Sequence, residues 1–293
     1  MNYQQFVVAI KENVALSLGD GMSLQIHTTL KNNGQERVGL TISDKQVNIF
    51  PTIFLEEYYK QFQNGYSIDT IAESIVNMYH EVRFEHSWEV NSIKDFSAIR
   101  PKIVYKLIGT AKNESFLQTV PHIAYLDFAI IFYILFEIDE SGTATIPITN
   151  ELSKLWETNS AELYRIAMEN SPNLLPASLK PMRTVIEELL GNPCEETVLE
   201  DDIMFVLTNQ LRCFGASCIL YNDILEQISG QLGESFYILP SSIHEVIIVP
   251  ESQCPTKEDL DSMIVEINET QVDEEEVLSD HVYYYDCKKM QLC

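Results

Sequence analysis

The chain has 293 residues, 45% of them hydrophobic, and its 44 Asp and Glu residues against 19 Lys and Arg give a formal net charge of −25. This length and apolar content allow one large or two moderate domains with a buried core, and they exclude a disordered chain. Because contacts to nucleic-acid phosphates need a positive surface, direct nucleic-acid binding is not expected.

The excess of acidic residues has two interpretations that charge alone does not separate. The acids either form a solvated surface that keeps the protein soluble and monomeric, or imitate a polyanion and fill the basic groove of a nucleic-acid-binding partner. The N-terminus lacks the basic and apolar regions of a secretory signal. The longest apolar run, Phe128–Phe136, is nine residues, about half a membrane span. We therefore expect a cytoplasmic protein without a membrane segment.

All six cysteines lie in the last hundred residues, without a C-x-x-C motif and without a histidine pair at metal-binding spacing. This pattern predicts neither a metal nor a cofactor, and free thiols are expected in a reducing cytosol. Cys218 has the setting of a small core residue, whereas Cys287 and Cys293 are expected to be exposed. Gly19-Asp20-Gly21 is expected to end a helix rather than to bind phosphate, because no strand leads into it.

The first 85 residues are predicted to form a helix–hairpin–helices unit. Residues 3–18 have the apolar spacing of an amphipathic helix. Asn33-Gly34 stands between two extended segments, which is a strong hairpin signal because both residues tolerate positive φ. Phe50-Pro51-Thr52 is expected to end the sheet, and two helices follow, the second opened by Ser67.

Residues 84–97 show no firm periodicity and are the predicted domain boundary. Because this segment contains Trp88, we expect it to pack on the protein surface rather than to form a free linker. Residues 98–293 are expected to form a larger body. Its first half should contain a strand at 103–108, a short helix at 114–119, a buried strand at 128–136, a turn at 139–142, a return strand at 143–149 and a helix capped by Asn159. Pro172, Pro176 and Pro181 are expected to form a stiff connector, followed by a helix at 184–190 and a strand at 204–207.

The second half of the body is centred on residues 215–249. Its predicted elements are a strand at 218–221, a helix capped by Asn222 or Asp223 and ended by Gly233, strands at 236–239 and 246–249, a helix opened by Thr256 with Asp259, and an edge strand near 282–285. The fold class is therefore α+β, with mixed or mostly antiparallel sheets and helices packed on one side. The order strand, helix, strand, strand, helix occurs in residues 103–170 and 203–286, which raises the hypothesis of an internal duplication.

Six polar residues stand in apolar surroundings and would converge if the tail strand paired near residues 241–245. They are Ser241, Ser242, His244, Glu245, Asp280 and His281. A hydroxyl, an imidazole and a carboxylate are the groups that nucleophilic hydrolysis needs, and two histidines with a carboxylate could ligate a metal.

Three features favour a structural role for this cluster. The two serines follow a proline, which is ordinary turn chemistry, no nucleophile elbow is present, and the His-Glu pair lies in a strand. His122, after Pro121 and near Asp127, is a further candidate, for which a hydrogen-bonded core histidine is expected.

Four segments carry a resemblance to a known family: residues 30–65, 103–135, 151–172 and 236–286. In these segments, which include LKNNGQERVGLTI and FYILPSSIHEVIIVPE, the chain resembles a bacterial family known as domain of unknown function 5688. The resemblance implies a bacterial cytosolic protein, carried on mobile elements. It implies no activity, fold or site.

The leading functional hypothesis is a non-enzymatic, acidic, cytoplasmic module that binds an unidentified protein partner. A hydrolase with its site around Ser242, His244 and His281 is the alternative from a different class. A purely structural partner in a mobile-element assembly is a third hypothesis, which the sequence does not distinguish from the first.

Overall fold

The computed structural model describes residues 1–18, 22–43, 52–82, 93–139, 142–191, 203–253 and 256–293. These residues form two compact units, one of residues 1–98 with 138–142 and one of residues 99–137 with 143–293. The predictions for Gly19-Asp20-Gly21, Phe50-Pro51 and Trp88 lie outside the described residues, as does most of the predicted boundary at 84–97. The division into 1–85 and 98–293 and the internal duplication stay predictions.

The first unit contains three helices of eight residues or more and a small sheet. Its helices are α1 (Tyr3–Leu18), α2 (Glu56–Gln63) and α3 (Ile68–Val82), and the short helix α4 (Phe96–Ile99) follows at its end. Its strands β1 (Ser23–Leu30), β2 (Glu36–Ser43) and β3 (Thr52–Phe54) form an antiparallel sheet in the order β1-β2-β3. The helices cover this sheet with Phe6, Ile10, Val14, Ile71 and Ile75, which pack on Leu40 and Ile42.

The hairpin predicted at Asn33-Gly34 is confirmed, since β1 pairs with β2 around a turn in which Asn33 has φ 59° and Gly34 φ 70°. The expectation that Thr52 ends the sheet is wrong. Thr52 instead begins the third strand and pairs with Thr41. A three-residue strand is too short to leave an alternating pattern in the sequence, so only the pairing partner on β2 reveals it.

The second unit contains two sheets. The first consists of β4 (Ile103–Gly109), β5 (His122–Tyr125), β6 (Phe128–Asp139) and β7 (Gly142–Pro147), with β4 and β5 antiparallel on either side of β6. The same part of the chain contains the helices α5 (Glu114–Leu117), α6 (Asn150–Leu155) and α7 (Ser160–Leu174). Asn159 caps α7 as predicted, because its side-chain oxygen accepts the N–H of Glu162 at 3.0 Å.

The second sheet has six strands in the order β13-β12-β10-β11-β9-β8. These are β8 (Ala177–Pro181), β9 (Phe205–Asn209), β10 (Phe236–Leu239), β11 (Val246–Pro250), β12 (Tyr283–Asp286) and β13 (Gln291–Leu292). The helices are α8 (Met182–Leu189), α9 (Ile224–Leu232) and α10 (Lys257–Thr270). Leu260 and Ile264 of α10 pack on Leu239, Ile247 and Val249 of the sheet. The α+β class with antiparallel sheets is confirmed.

Two predictions for this unit are wrong, the strand at 218–221 and the stiff proline connector. Residues 218–220 are not a strand but the end of a 3₁₀ helix, Gly215–Leu220, and Tyr221 follows it in an extended conformation. A short buried apolar run has no periodicity that distinguishes a strand from a helical segment. The proline-rich connector includes the last turn of α7 at Pro172 and the edge strand β8, which ends at Pro181. An edge strand tolerates proline, since one side of it needs no ladder partner.

Two smaller corrections concern a cap and the tail. Asp223 precedes α9 in a left-handed conformation (φ 59°) and its side chain makes no capping hydrogen bond, so the predicted cap is wrong at this residue. The tail strand β12 is not the edge of the sheet, because β13 pairs with its outer side. By contrast, Gly233 ends α9 with φ 75°, and Thr256 caps α10 by accepting the N–H of Asp259 at 3.1 Å, as predicted.

Candidate functional site

The tail of the chain runs alongside the predicted site. The N–H of Ile243 donates to the carbonyl of Glu276 at 2.9 Å, and the N–H of Leu278 donates to the carbonyl of Ser241 at 3.0 Å. Ser242 forms an antiparallel bridge with Val277. We call residues 240–244 and 276–283 the tail junction. The tail therefore packs where the six candidate residues could converge.

Ser242 and His244 contact one another through the backbone of the histidine. The hydroxyl of Ser242 accepts the backbone N–H of His244 at 3.0 Å. The His244 ring faces elsewhere: Nδ1 accepts the N–H of Phe214 at 3.3 Å, and Nε2 lies 3.4 Å from Oε1 of Glu276. A ring that accepts at Nδ1 carries its proton on Nε2 when neutral, so it is oriented to donate to Glu276. Ser241 is buried and contributes its carbonyl.

Asp280 and His281 occupy the other end of the tail junction. Asp280 accepts a hydrogen bond from the side-chain amide of Asn268 at 2.7 Å. The N–H of His281 donates to the hydroxyl of Ser279 at 3.0 Å, and the His281 side chain is exposed. Within the described part of the chain, no three His, Cys, Asp or Glu side chains are grouped so as to hold a metal ion. The hydrolase with Ser242, His244 and His281 stays a prediction.

Asp127 binds two residues of the C-terminal tail through its side chain. Its carboxylate accepts the hydroxyl of Ser279 at 2.8 Å and also the hydroxyl of Tyr283. Burial and the hydrogen bond to Asp127 raise the pKa of Tyr283 above its usual range. The expectation of a core histidine nearby is wrong, because His122 is exposed on the edge strand β5, although its Nδ1 lies 3.1 Å from the carbonyl of Val120.

A polar pocket of about 440 Å³ lies over the β8–β9 side of the six-stranded sheet. Its lining consists of Ser178, Lys180, Val185, Glu188, Val206, Thr208, Asn209, Gln210, Arg212 and Glu245. Ser178 lies opposite Thr208, and Glu245 comes directly before Val246, which lies opposite Leu207. The floor is therefore a row of side chains from β8 and β9 with Glu245 from the residue before β11, and α8 supplies Val185 and Glu188 to the same pocket.

Three charged side chains of the pocket form an ion-pair triad. Nζ of Lys180 lies 2.5 Å from Oε1 of Glu188, and a guanidinium nitrogen of Arg212 binds the other carboxylate oxygen. The hydrogen bond from Lys180, together with the nearby Arg212 charge, lowers the pKa of Glu188. The Lys180, Glu188 and Arg212 triad carries a net charge of +1 in a chain of net charge −25.

The loop that carries Arg212 is held by Asn209, which is 1% exposed. The Asn209 amide donates to the carbonyl of Cys213 at 2.7 Å, and its carbonyl oxygen accepts the N–H groups of Leu211 and Cys213 at 3.1 and 3.2 Å. Arg212 itself has φ 51°. The next glycine, Gly215, has no space for a Cβ, which would lie 2.5 Å from the carbonyl oxygen of His244. The loop thus fixes the position of Arg212 at the pocket.

Lys106 of β4 is a buried cation that lies between two aromatic rings. It is 7% exposed, and its Nζ lies 4.2 Å from the ring centroid of Phe214 and 4.7 Å from that of Tyr133. The Phe214 ring also stacks on Tyr133 and on His244, each at a centroid distance of 5.7 Å. Among the described residues no carboxylate pairs with Lys106, so the two ring faces stabilise its charge.

The second prominent surface is acidic and is formed by α10 and the turn after it. We define the acidic face as Glu258, Asp259, Asp261, Glu266, Glu269, Asp273, Glu274, Glu275 and Glu276. Leu260 and Ile264 bury the opposite side of α10. Asn268 ties the helix to the tail junction, since its amide donates to the Ser279 carbonyl at 2.9 Å and to Asp280.

Sequence reasoning predicted one residue of the pocket, Glu245, and missed Lys180, Glu188 and Arg212. No motif links these three, because they come from an edge strand, a helix and a loop. The sequence offers only a weaker signal: basic side chains are scarce in this chain, and one of them, Arg212, stands three residues from both Asn209 and Gly215. The expectation that His244 and Glu245 lie in a strand is wrong, because His244 lies in a bend and β11 begins only at Val246. The His244 ring contacts Phe214, whereas Glu245 lines the pocket.

The chain is an α+β protein that carries a polar pocket and an acidic face on its second unit. It belongs to DUF5688, a family of unknown function, whose model matches residues 3–287 of its 293 residues. The resemblance in residues 30–65, 103–135, 151–172 and 236–286 is thereby confirmed. No curated protein and no solved structure is similar enough to the chain to count as a match. None of the described helices is long and apolar enough to cross a membrane.

Proposed function

We propose that this protein is a non-enzymatic interaction module whose acidic face binds a cationic protein partner in the bacterial cytoplasm. The observation that carries the proposal is the anchoring of the acidic face. Its nine carboxylates stand on a helix packed into the sheet through Leu260 and Ile264 and on a turn that leads into the tail junction. The charges are therefore displayed at fixed relative positions, as a complementary basic surface requires.

The energetics of the acidic face support a binding role over a solubilising one. Like charges on one surface repel each other and destabilise the compact state. If the acids served only solubility, the protein would gain as much solubility from acidic residues scattered over both units. Between Glu251 and Asp286 the chain has twelve acidic residues and, among Lys and Arg, only Lys257. A basic partner would relieve this repulsion, and a nucleic-acid-binding groove is the kind of surface that offers enough positive charge.

The test compares two variants with the same change in charge. The first neutralises the acidic face with Glu258→Gln, Glu266→Gln, Glu269→Gln and Asp273→Asn. The control neutralises four exposed acids elsewhere with Glu12→Gln, Glu73→Gln, Glu81→Gln and Glu151→Gln. Tagged wild type and both variants are used to capture proteins from a bacterial extract across a salt series, with quantitative mass spectrometry as the readout and circular dichroism as the check on folding.

The proposal expects the wild type and the control to retain the same basic proteins at low salt and to lose them as salt rises, because such contacts are screened. The acidic-face variant should not retain them. Capture that is independent of salt, or that falls equally in both variants, would refute the acidic face as the binding surface.

A further inference from the structure

We propose that the pocket lined by Lys180, Arg212 and Glu245 is a binding site for a small zwitterionic molecule. Its anionic group would bind Lys180 and Arg212, and its ammonium group would bind Glu245. This inference is independent of the acidic face and of its partner. The pocket volume of about 440 Å³ falls in the range of small-ligand sites, roughly 300–1,000 Å³.

The triad has unused hydrogen-bond donors. A lysine ammonium has three N–H donors and an arginine guanidinium has five, and neither group accepts. Glu188 takes one hydrogen bond from each of Lys180 and Arg212. The remaining donors of two cations border the pocket, held on an edge strand and on a loop fixed by Asn209. A carboxylate or phosphate entering the pocket can therefore bind both cations without breaking their contacts to Glu188.

Glu245 supplies the opposite charge. Its carboxylate lines the pocket and is half-buried, and among the described residues no basic side chain pairs with it. A partly desolvated carboxylate is stabilised by a ligand cation, which would take the position of the missing ion-pair partner.

The charge of the whole chain decides between an anionic and a zwitterionic ligand. At a net charge of −25, the field of the protein opposes the approach of a net anion. The four charged residues of the pocket, Lys180, Glu188, Arg212 and Glu245, sum to zero. A ligand with one charge of each sign meets no opposing field and satisfies both ends of the site.

The sheet sets the length of the ligand. Lys180 lies on β8 and Glu245 precedes β11, with β9 between them. Two strand spacings separate the two backbones by about 9–10 Å. Val185 and Val206 supply apolar lining to the same pocket. The site thus fits an amine and an acid joined by several methylene groups, or a short peptide, better than an α-amino acid.

The test titrates the full chain with matched probes by isothermal calorimetry up to about 10 mM, the range that detects weak small ligands. The probes are glycine, 4-aminobutyrate and 6-aminohexanoate, with hexanoate and hexylamine as single-charge controls. Affinity should rise along the zwitterion series and exceed that of both controls. Arg212→Gln and Glu245→Gln should each weaken 6-aminohexanoate about tenfold or more, because each removes a charge-assisted contact.

Two charge-matched variants on α8, Arg183→Gln and Glu187→Gln, should leave binding unchanged, since neither residue lines the pocket. Absence of saturable binding by every probe would overturn the proposal. Equal affinity for 6-aminohexanoate and either single-charge control would also overturn it, because the site would then recognise one charge only. Neither result bears on the acidic face, whose test is capture of basic proteins.

Discussion

The hydroxyl of Tyr283 donates a hydrogen bond to the carboxylate of Asp127, which precedes it by 156 residues. Asp127 stands in the turn between β5 and β6, and Tyr283 begins β12. The hydroxyl of Ser279 donates to the same carboxylate at 2.8 Å. The Asp127 side chain therefore links two residues of the tail to the four-stranded sheet. The stability of the second unit should therefore depend on this contact.

Replacing Tyr283 with phenylalanine should lower the free energy of unfolding by about 1.5–3 kcal/mol, since hydrogen bonds to charged groups contribute that much. Urea unfolding followed by circular dichroism measures the change. Tyr66→Phe is the matched control, because this tyrosine is exposed. Equal midpoints for the two variants would show that the Tyr283–Asp127 contact does not stabilise the fold.

The same contact predicts a pH dependence. Burial and Asp127 raise the pKa of Tyr283 above the ordinary value of 10.0, so the folded state keeps the phenol protonated when the unfolded state ionises. The stabilisation is fully present below pH about 10 and is lost as pH rises toward the folded pKa. Between pH about 9 and 11, the wild type should lose more stability than Tyr283→Phe. Parallel pH–stability curves for the two proteins would contradict this prediction.

Gly215→Ala should destabilise the protein by about 1–3 kcal/mol or more, because the added methyl group meets fixed backbone atoms. Its Cβ would lie 2.5 Å from the His244 carbonyl oxygen and 2.7 Å from the Asn209 nitrogen. Gly230→Ala is the control: apart from its chain neighbours and the backbone of α9, no atom lies within 4 Å of its Cβ position, and it should stabilise by about 0.5–1 kcal/mol. Thermal unfolding of both variants tests the contrast, and a Gly215→Ala protein as stable as wild type would refute it.

Lys106 and Phe214 should be energetically coupled. A double-mutant cycle with Lys106→Met and Phe214→Leu should give a coupling free energy of about 0.5–2 kcal/mol, the range for a cation over an aromatic face. The distance of 4.2 Å from Nζ to the ring centroid is the basis for this expectation. Additive changes in the free energy of unfolding would mean that the ring does not stabilise the lysine charge.

The thiols should differ widely in reactivity. Burial raises the pKa of Cys218 to about 12, whereas Cys293 is exposed. Because the thiolate is the reactive form, iodoacetamide at pH about 8 should label Cys293 first and Cys218 only on unfolding. Peptide mapping at timed intervals measures the order. Labelling of Cys218 in the native protein at the rate of Cys293 would contradict its buried position.

The elements with a clear local period were predictable from the sequence. α1 begins and ends at the residues predicted, and the apolar spacing of residues 260–267 gave α10, with Leu260 and Ile264 buried as expected. The strand at 246–249 followed from its unbroken run of β-branched residues, all buried in the sheet. In each case the pattern that predicts the element is formed by residues close together in the sequence, within two or three helical turns or within one short strand.

The errors fall where distant residues decide the local conformation. Residues 218–220 belong to a 3₁₀ helix that begins at Gly215, which lies against Thr208 and the His244 carbonyl, contacts that no local pattern encodes. The proline connector proved to be strand at 177–181 because β9, more than twenty residues later, provides its partner. Local propensity is a weak guide when the pairing partner is remote.

The candidate site was predictable only in part. The sequence raised the pairing of the tail with residues 241–245 only as a condition for the site, and the bridge between Ser242 and Val277 meets that condition. It did not indicate that His244 would face Glu276 and Phe214, or that Glu245 would turn away into a pocket with Arg212. Side-chain direction in this segment depends on contacts with residues far away in the sequence, such as Phe214 and Glu276.

The sequence by itself determined the α+β class, the main helices and strands and the concentration of acidic residues near the C-terminus, because these depend on composition and local periodicity. Only the tertiary structure decided which polar groups meet: Asp127 with Tyr283, His244 with Glu276, and Lys180 with Glu188 and Arg212. Hydrogen bonds and ion pairs act over a few ångströms, and residues far apart in sequence reach that distance only after strand order and register are set.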